Sequence, residues 1–440
     1  MQLFRALAYR DFRLLWAGLA AASTGMYMQQ FVLGWYVVQL AQREGVPERA
    51  PLYLGIVGFA AIVPGIGAGL FAGVIADRYD RRKILLAVHV AMTVLSLGLA
   101  ALVMADRASL PFVALLSGLS AGAFAFDIPT RQALVPRLVR PDVLMSAIGL
   151  NYAAITGTQF IGPLIGGLLL GPIGVGGVLV VTAAMRLTII GALLAMSRQP
   201  VEARARRNIL SSLIEGVTYA YRDAVIWGLV VLFAITAVGR GFQQFLPAVA
   251  AQTLHVGSTE LSWMLASAGL GSLVGSVITA SLGDLRRRGL LFLVLLLAGS
   301  LLSVLFALQQ SLVPMLLILP VSTAVSQVAL ALTVGSLQVR ASDEYRGRVI
   351  GVHLMSVQVA GPLGLLVLGS LGTAIGVSEA IGLVGALTAV IAGAALVGSA
   401  ALRSYSTAAV PVADGLVGLT VPPARVVVRG KDRGRAGPFL

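Results

Sequence analysis

Two groups of polar residues have types and spacings that could do chemistry in an otherwise apolar chain. The first is Gly73-Val74-Ile75-Ala76-Asp77-Arg78-Tyr79-Asp80-Arg81-Arg82-Lys83, a glycine followed by acids and several cations. Charges fixed in a tight turn between two helices can hold one conformation closed and release it in another. A short loop needs cations for topology alone, but the ordered spacing favours a conformational gate that includes Gly73, Asp77, Arg78, Arg81 and Arg82.

The second group surrounds Arg240, which lies in the middle of an apolar stretch with Gln243 and Gln244 one turn further on. A charge at such a depth in a bilayer is costly and is expected to face protein or a water-filled cavity. No acidic residue lies at comparable depth, so this cation favours an anionic or electron-rich ligand. We predict a substrate cavity lined by Gln29, Gln30, Arg240, Gln243 and Gln244. The alternative is that Arg240 bonds to backbone carbonyls and glutamines as a structural cap.

The composition indicates which elements must position these residues. The 440-residue chain is 58% hydrophobic and 11% charged, and it contains no cysteine. Because an ordinary soluble domain is about a quarter charged, a soluble globule of this size would lack the polar residues to cover its surface. The missing cysteines exclude disulfide scaffolds and cysteine-ligated metal sites. The composition therefore indicates an integral membrane protein.

Apolar stretches of the chain are long enough to cross a bilayer, which takes about 20 residues of helix. None of them alternates polar and apolar residues as a barrel strand would. We predict an all-α integral membrane protein with twelve transmembrane helices. The breaks between Gly171 and Gly174 and around Ser311 rest mainly on Gly, Pro and helix length. The predicted spans are Leu14–Leu40, Leu52–Ala76, Ile84–Ala105, Leu110–Ile128, Met145–Leu170, Val175–Ser197, Val225–Ala251, Leu261–Gly283, Leu290–Gln309, Leu312–Leu337, Val349–Thr373 and Ala380–Leu402.

Lysine and arginine indicate the orientation of such a chain, because short cytoplasmic loops carry an excess of them. The chain has 32 Lys and Arg against 18 Asp and Glu. With the N terminus in the cytoplasm, 27 of the 32 cations lie on the cytoplasmic side and three lie outside, while Arg186 and Arg240 lie within spans. We predict that both termini are cytoplasmic and that the net charge of +14 orients the chain in the inner (plasma) membrane.

The chain divides into halves at its longest basic loop. We predict an N-terminal six-helix bundle (1–197), a cytoplasmic central loop (198–224), a C-terminal six-helix bundle (225–402) and a basic cytoplasmic tail without regular structure (403–440). Gln29-Gln30-Phe31 matches Gln243-Gln244-Phe245, and the motif at Asp77 matches Asp284-Leu285-Arg286-Arg287-Arg288. Asp284 therefore joins the candidate gate. Matching features in the same order favour an internal repeat, which in transporters places the substrate site between the halves.

The gate motif resembles the loop after helix two of the major facilitator superfamily, which reads Gly-x-Leu-Ala-Asp-Arg-x-Gly-Arg-Arg/Lys. The chain departs from this pattern with Ile75 and Asp80, and it matches at Gly73, Ala76, Asp77, Arg78, Arg81 and Arg82. Three further segments resemble the branch that contains the enterobactin exporter and related efflux proteins. These are Tyr9-Arg10-Asp11-Phe12-Arg13-Leu14-Leu15-Trp16, Phe126-Asp127-Ile128-Pro129-Thr130-Arg131-Gln132-Ala133 and Arg346-Gly347-Arg348-Val349.

The resemblance implies two pseudo-symmetric six-helix bundles and assigns partners to the gate. Asp77 would face the helix that begins near Val349, and Arg81 would pair with Asp127 at the inner end of the fourth span. Both pairings agree with the charges, since a helix N-terminus favours an anion. Because the sixth helix of this fold usually supports the cavity rather than lining it, we interpret Arg186 as structural. Weaker cavity candidates are Gln159, Gln327 and Gln358.

A Gly-Pro-x-x-Gly-Gly motif in the fifth span resembles the signature of proton-linked exporters. Its residues here are Gly162, Pro163, Gly166 and Gly167. Small residues and a proline also serve ordinary helix packing, so both interpretations stay open. Many proton antiporters carry an arginine in the fourth helix, and this chain has none among residues 117–122. Proton coupling is therefore implied by the resemblance alone.

We expect a secondary transporter that exports a small amphipathic solute (a drug, siderophore or secondary metabolite) by alternating access. The alternatives are an uptake transporter of the same superfamily and, more distantly, a membrane-embedded enzyme. No catalytic residue, metal or cofactor is expected, because the spans contain no cluster of His, Glu or Asp. A nucleotide-driven pump is disfavoured because no Gly-x-x-x-x-Gly-Lys-Ser/Thr loop occurs. The expected partners of a monomer are the solute, a coupling proton and the lipid bilayer, with no nucleic acid.

Overall fold

The computed structural model describes residues 2–61, 64–65, 67–68, 75, 79–197, 209–281 and 287–406. Within these ranges the long helices follow the order of the predicted spans, and no residue there forms a β-strand. We number them α1 (Arg10–Arg43), α2 (Ala50–Ala60), α3 (Arg81–Met104), α4 (Leu110–Leu138), α5 (144–173), α6 (175–195), α7 (Ala224–Arg240), α8 (Ser258–Ser281), α9 (Arg288–Ala307), α10 (Leu312–Arg340), α11 (Arg346–Ile375) and α12 (Val377–Gly398).

Nine helical segments of the described ranges are long and apolar enough to cross a bilayer. One of them, Pro141–Ala195, holds both α5 and α6. The 34-residue α1 is not among the nine, because its middle carries polar residues such as Gln29 and Gln30. α2 is described as a continuous helix only to Ala60. The chain is an all-α, multi-pass membrane protein, as the composition predicts.

Prolines and glycines set several of the helix ends. Pro51 and Pro111 lie in the first turns of α2 and α4, where a missing N–H breaks no helical hydrogen bond. The predicted break between α5 and α6 is confirmed at Gly174, whose φ of 65° suits glycine. α9 ends at Ala307 and α10 begins at Leu312, which confirms the predicted break around Ser311.

The buried side chains show how the first half (α1–α6) and the second half (α7–α12) are joined. We call the side on which α1, α3, α7 and α11 begin the basic face, and the other side the opposite face. Toward the basic face each half has its own apolar cluster, around Phe12 in the first half and Phe292 in the second. A third cluster combines residues of both halves toward the opposite face, including Tyr36, Phe245 and Phe306. The two halves therefore share a core on the opposite-face side.

The predicted central loop contains a helix that the sequence interpretation did not include. Ile209–Arg222, here called the loop helix, ends just before α7. Glu215 Oε2 lies 2.6 Å from Arg348 Nη1 at the start of α11, and the rings of Tyr219 and Tyr345 stack with centroids 4.5 Å apart. The loop helix therefore packs against the basic-face end of the second half. Its apolar residues recur at helical spacing, but it is too short to be recognised as a span.

The first residues of the predicted tail belong to the second half. Ala400–Ser404 is a short helix, and the buried Tyr405 donates its hydroxyl to the backbone carbonyl of Ser336 at 3.3 Å. Burial raises the pKa of the Tyr405 hydroxyl, because the phenolate form is poorly solvated there. The rest of the tail, from residue 407, lies outside the described residues.

The orientation in the membrane is testable because the natural chain has no cysteine. Single cysteines at the exposed loop residues Gln310, on the opposite face, and Arg140, on the basic face, would report the two sides. The cation distribution places Arg140 in the cytoplasm, so we expect a membrane-impermeant maleimide to label Gln310→Cys in intact cells. Arg140→Cys should react only after the cells are permeabilised. The reverse pattern would contradict the predicted orientation.

Candidate functional site

A cavity of about 430 Å³ lies between the two halves, at the level of the middle of α1. The structure brings together the glutamines that the sequence predicted at this site, although they are more than 200 positions apart in the chain. They are Gln29, Gln30, Gln243 and Gln244. Arg240 ends α7 directly before the second pair, and its side chain lies outside the described residues. Gln159 also lines the cavity, whereas Gln327 and Gln358 are not among its described lining residues.

Arg186 on α6 lines the cavity, which differs from the expectation that the sixth helix only supports it. Its side chain is buried, and Arg186 Nη2 donates to Gln29 Oε1 at 2.8 Å. Ser96 Oγ on α3 lies 3.5 Å from the same oxygen. On the α5 side of the cavity, Gln159 Nε2 donates to the hydroxyl of Tyr27 at 2.8 Å. Gln29 and Gln159 are therefore each held in place by a neighbouring polar side chain.

The remaining walls of the cavity are mostly apolar, with serines of α4 and α8 among them. The apolar part consists of aliphatic, thioether and aromatic side chains of α1 to α4 and α8, which include Met26, Phe31, Leu33, Val57, Met92, Phe124 and Leu265. A ligand pocket of this kind buries apolar surface and uses a few placed polar groups to orient its ligand. This arrangement suits a solute that has one polar end and an apolar body.

Close helix contacts lie between this cavity and the opposite face. A Cβ atom at Gly55 would lie 2.7 Å from the carbonyl oxygen of Leu365, and one at Gly34 would lie 2.8 Å from Pro247 Cγ. Each contact joins the first half to the second. The backbones can approach so closely because these positions carry no side chain. Such contacts separate the cavity from the opposite face.

The Gly-Pro-x-x-Gly-Gly motif of α5 packs against two different helices. Cβ atoms at Gly162 and Gly166 would lie 2.6 Å from Tyr27 Cβ and 2.8 Å from Phe31 Cδ1 of α1. A Cβ atom at Gly167 would lie 2.5 Å from Ser262 Cβ of α8, which belongs to the other half. Pro163 lines the cavity. These contacts support the packing interpretation of the motif, and the contact of Gly167 is one that an opposite-face opening would have to break.

The described members of the predicted gate bond to helices of the first half. Arg81 Nη1 donates to the carbonyl of Ala133 in α4 at 3.0 Å. Arg82 reaches the carboxyl end of α6, where its Nη2 donates to the carbonyl of Leu194 at 2.8 Å. A cation at a helix C-terminus is favourable because the helix dipole is negative there. Outside the described residues lie Gly73, Asp77, Arg78 and Asp284, so their part in the gate stays a prediction.

Asp127 has described partners other than the expected Arg81. Its Oδ2 accepts from Arg131, with Nη2 at 3.0 Å and Nε at 3.1 Å, and its Oδ1 lies 3.3 Å from His89 Nε2. All three side chains are buried between α3 and α4. Arg131 lies one helical turn from Asp127 on α4. The family resemblance implied Arg81 as the partner and did not include this pair. We call these three residues the Asp127 cluster.

A further ion pair on the basic face was missed by the sequence interpretation. Asp223 caps α7, with Oδ1 accepting from the backbone N–H groups of Val225 and Ile226, and its carboxylate binds Arg340 at 2.9 Å. Partial burial raises the pKa of Asp223, but Arg340 and the two N–H groups outweigh that effect and lower the pKa below its ordinary value. The pair therefore holds the ends of α7 and α10 together above the acidic range.

No three His, Asp or Glu side chains of the described ranges are grouped so that they could hold a metal ion. Two of the described histidines, His89 and His353, are buried, and His89 belongs to the Asp127 cluster. His353 lies on α11 with its ring 5.1 Å from the ring of Phe233.

The Gly167 contact predicts a mutation that favours opening toward the opposite face. Gly167→Ala places a methyl group against Ser262 and so overpacks this conformation. A destabilisation of about 1 kcal/mol raises the population open toward the opposite face, relative to this conformation, about fivefold. We expect a cysteine introduced at Gln30 to react several-fold faster with an impermeant maleimide added at the opposite face. Gly171→Ala is the matched control, because a Cβ atom there meets nothing within 4 Å. Equal labelling rates in the two variants would contradict a sealing role.

The Asp127 cluster predicts a stability difference between single and double variants. Asp127→Asn leaves Arg131 buried without its counterion, and loss of one partner of such a pair costs about 3–5 kcal/mol. We expect a marked fall in the Tm of the purified protein in detergent, and a smaller fall for Asp127→Asn combined with Arg131→Met. Asp106→Asn is the control, because its pair with Arg43 is exposed. A double variant less stable than the single one would refute the pairing.

Comparisons with known proteins agree with this architecture. A family model described as transmembrane secretion effector matches residues 2–428. The enterobactin exporter EntS of Shigella boydii serotype 18 (strain CDC 3083-94 / BS512) is 27% identical over 304 residues, which are 69% of this chain and 73% of that protein.

Solved structures of the same fold cover most of the chain. A bacterial homolog to the human lysosomal transporter Spinster, inward-facing and unoccupied, matches with a TM-score of 0.67 and 16% identity over 88% of this chain and 96% of that one. A D-xylose-proton symporter matches with a TM-score of 0.62 and 15% identity over 87% and 97%. These relatives are membrane transporters and not enzymes. The chain belongs to the transmembrane secretion effector family of the major facilitator superfamily.

Proposed function

We propose that this protein exports a small amphipathic organic solute from the cytoplasm by alternating access, with a proton as the coupling ion. The cavity between the halves carries this proposal, because it combines a polar wall with apolar walls. Its volume of about 430 Å³ falls in the range of small-molecule sites. A drug, a siderophore or a secondary metabolite has the required amphipathic character.

The position of the close contacts between the halves supports this proposal. Gln30 and Gln244 line the cavity and are nevertheless exposed. The described contacts between the halves at Gly34, Gly55 and Gly167 lie on the opposite-face side. We infer that this conformation accepts solute from the basic face, which we predict to be cytoplasmic. Release at the other side requires these contacts to open while the basic-face ends approach each other.

The relatives favour export over uptake. The family model is described as a transmembrane secretion effector, and EntS is named as an enterobactin exporter. The fold itself is neutral, since the D-xylose-proton symporter shares it. Uptake of a small organic solute by the same cavity is therefore the rival function, and direction has to be measured.

The coupling proton has few candidate sites. The described residues that line the cavity include no Asp, Glu or His. Proton coupling is therefore proposed from the relatives, which include a proton symporter, and it is tested by the uncoupler experiment below.

Transport by membrane vesicles tests direction and coupling together. Inside-out vesicles with an acidic interior should accumulate enterobactin or the neutral dye N-phenyl-1-naphthylamine several-fold over vesicles that lack the protein. A proton uncoupler should abolish the accumulation, because the solute gradient is driven by the returning proton. Accumulation by right-side-out vesicles alone would support the uptake rival. Accumulation that resists the uncoupler would refute proton coupling.

Two tryptophan substitutions separate the cavity from the membrane surface. Gln30→Trp fills the cavity and should lower accumulation at least tenfold if the solute passes there. Val94→Trp adds the same volume at an exposed apolar position of α3 and should leave accumulation unchanged. Equal effects of the two substitutions would contradict transport through this cavity.

A further inference from the structure

Arg186 is a charged residue without a charged partner in the described structure. Its side chain has 3% of its surface exposed, and none of the described ion pairs includes it. Nη2 donates to Gln29 Oε1 at 2.8 Å, whereas the buried Nη1 has no described hydrogen-bond partner. One amide oxygen therefore satisfies only part of a guanidinium group, which offers five N–H donors.

Such a residue is costly unless something completes its environment. A buried charge in a membrane protein faces protein or a water-filled cavity and is normally paired. Arg186 lines the cavity, and it is the one charged residue among the described lining residues. A ligand in the cavity is therefore the group that can supply the missing negative charge.

We infer that Arg186 recognises an oxyanion, such as a carboxylate, on the transported solute. This inference rests on the proposed function and adds the charge of the substrate class to it. The guanidinium would bind the anion through N–H groups not used by Gln29, because its planar fork suits two oxygen atoms at once. Gln29 holds the fork at a fixed place in the cavity wall, and Ser96 Oγ lies beside the same amide oxygen at 3.5 Å.

The surroundings of Arg186 suit the rest of such a solute. The apolar side of the cavity includes Met92, Phe124 and Leu265, which can cover an aromatic or aliphatic body. The exposed Gln30 and Gln244 can bond to its polar substituents. The solute class is thus an amphipathic organic anion and not a cationic drug, because a cation would meet an unpaired positive charge in the cavity.

A matched pair of probes isolates the charge. 1-Naphthoate and 1-naphthamide share their ring system, but the first carries a carboxylate where the second carries a neutral amide. We expect the purified protein in lipid nanodiscs to bind the naphthoate about tenfold more tightly, as measured by calorimetry. Arg186→Gln should bring the two affinities to within about twofold. Equal binding of the two probes by the natural protein, or binding of neither, would overturn the inference.

Gln29→Glu distinguishes recognition from a structural role, and it is useful if Arg186→Gln fails to fold. The new carboxylate has the same shape as the amide and forms an ion pair with Arg186, so a ligand no longer has to supply the negative charge. Recognition predicts that the preference for naphthoate disappears while the Tm is kept. A structural role predicts that the preference survives, since Arg186 is held more firmly. Gln159→Glu is the control, because it places the same charge beside Tyr27 and away from Arg186. It should lower the affinity for naphthoate less than Gln29→Glu does. An equal loss in the two variants would indicate general charge repulsion in the cavity and overturn the inference.

The two proposals fail in different experiments. Vesicles that accumulate neither naphthoate nor enterobactin, while the purified protein prefers naphthoate, would contradict export and leave anion recognition standing. Vesicles that accumulate N-phenyl-1-naphthylamine as well as naphthoate in an Arg186-independent way would support export and refute anion recognition.

Discussion

The close approach of helices from the two halves is the constraint on which the rest of the structure depends. Lipid tails are as apolar as the helix surfaces, so the hydrophobic effect does not drive helices together within a bilayer. Association depends on short contacts, and these occur where a glycine lies opposite a neighbouring backbone or side chain. Gly55 against Leu365 and Gly167 against Ser262 are two such contacts. They lie on the opposite-face side of the cavity.

The same constraint explains why a transporter can be stable and still switch. Toward the basic face each half has its own apolar cluster, so each half would keep its packing if the two moved apart there. The shared cluster toward the opposite face contains large aromatic side chains that contact both halves. Opening on that side exposes this surface and must be offset by new contacts at the basic face. A packed interface of this kind has discrete arrangements rather than a continuous range.

Charges are distributed by the cost of burying them. At the basic face Arg82 bonds to the end of α6, and Arg340 bonds to the carboxylate that caps α7. Within the first half, the Asp127 cluster neutralises its own charges between α3 and α4. Arg186 lacks such a partner among the described residues and lies at the cavity. Burial of an unpaired charge is costly in a bilayer, so a ligand with a negative charge would stabilise Arg186 strongly.

The sequence alone determined the membrane class, the order of the helices, the breaks at Gly174 and Ser311 and the glutamine pairs that line the cavity, because these follow from local composition and from a repeat. Tertiary structure decided that Arg186 lies at the cavity and that Asp127 pairs with Arg131 and His89. Arg186 and Arg240 are both single cations in apolar helices, and the sequence predicts only Arg240 at the cavity. The rotation of α6, which local sequence does not encode, brings Arg186 to Gln29. The loop helix was missed because it is too short to be recognised as a membrane span. Its contact with α11 joins residues that are distant in the sequence and exists only after folding. Pairings between distant helices depend on helix rotation and depth, which no local pattern encodes.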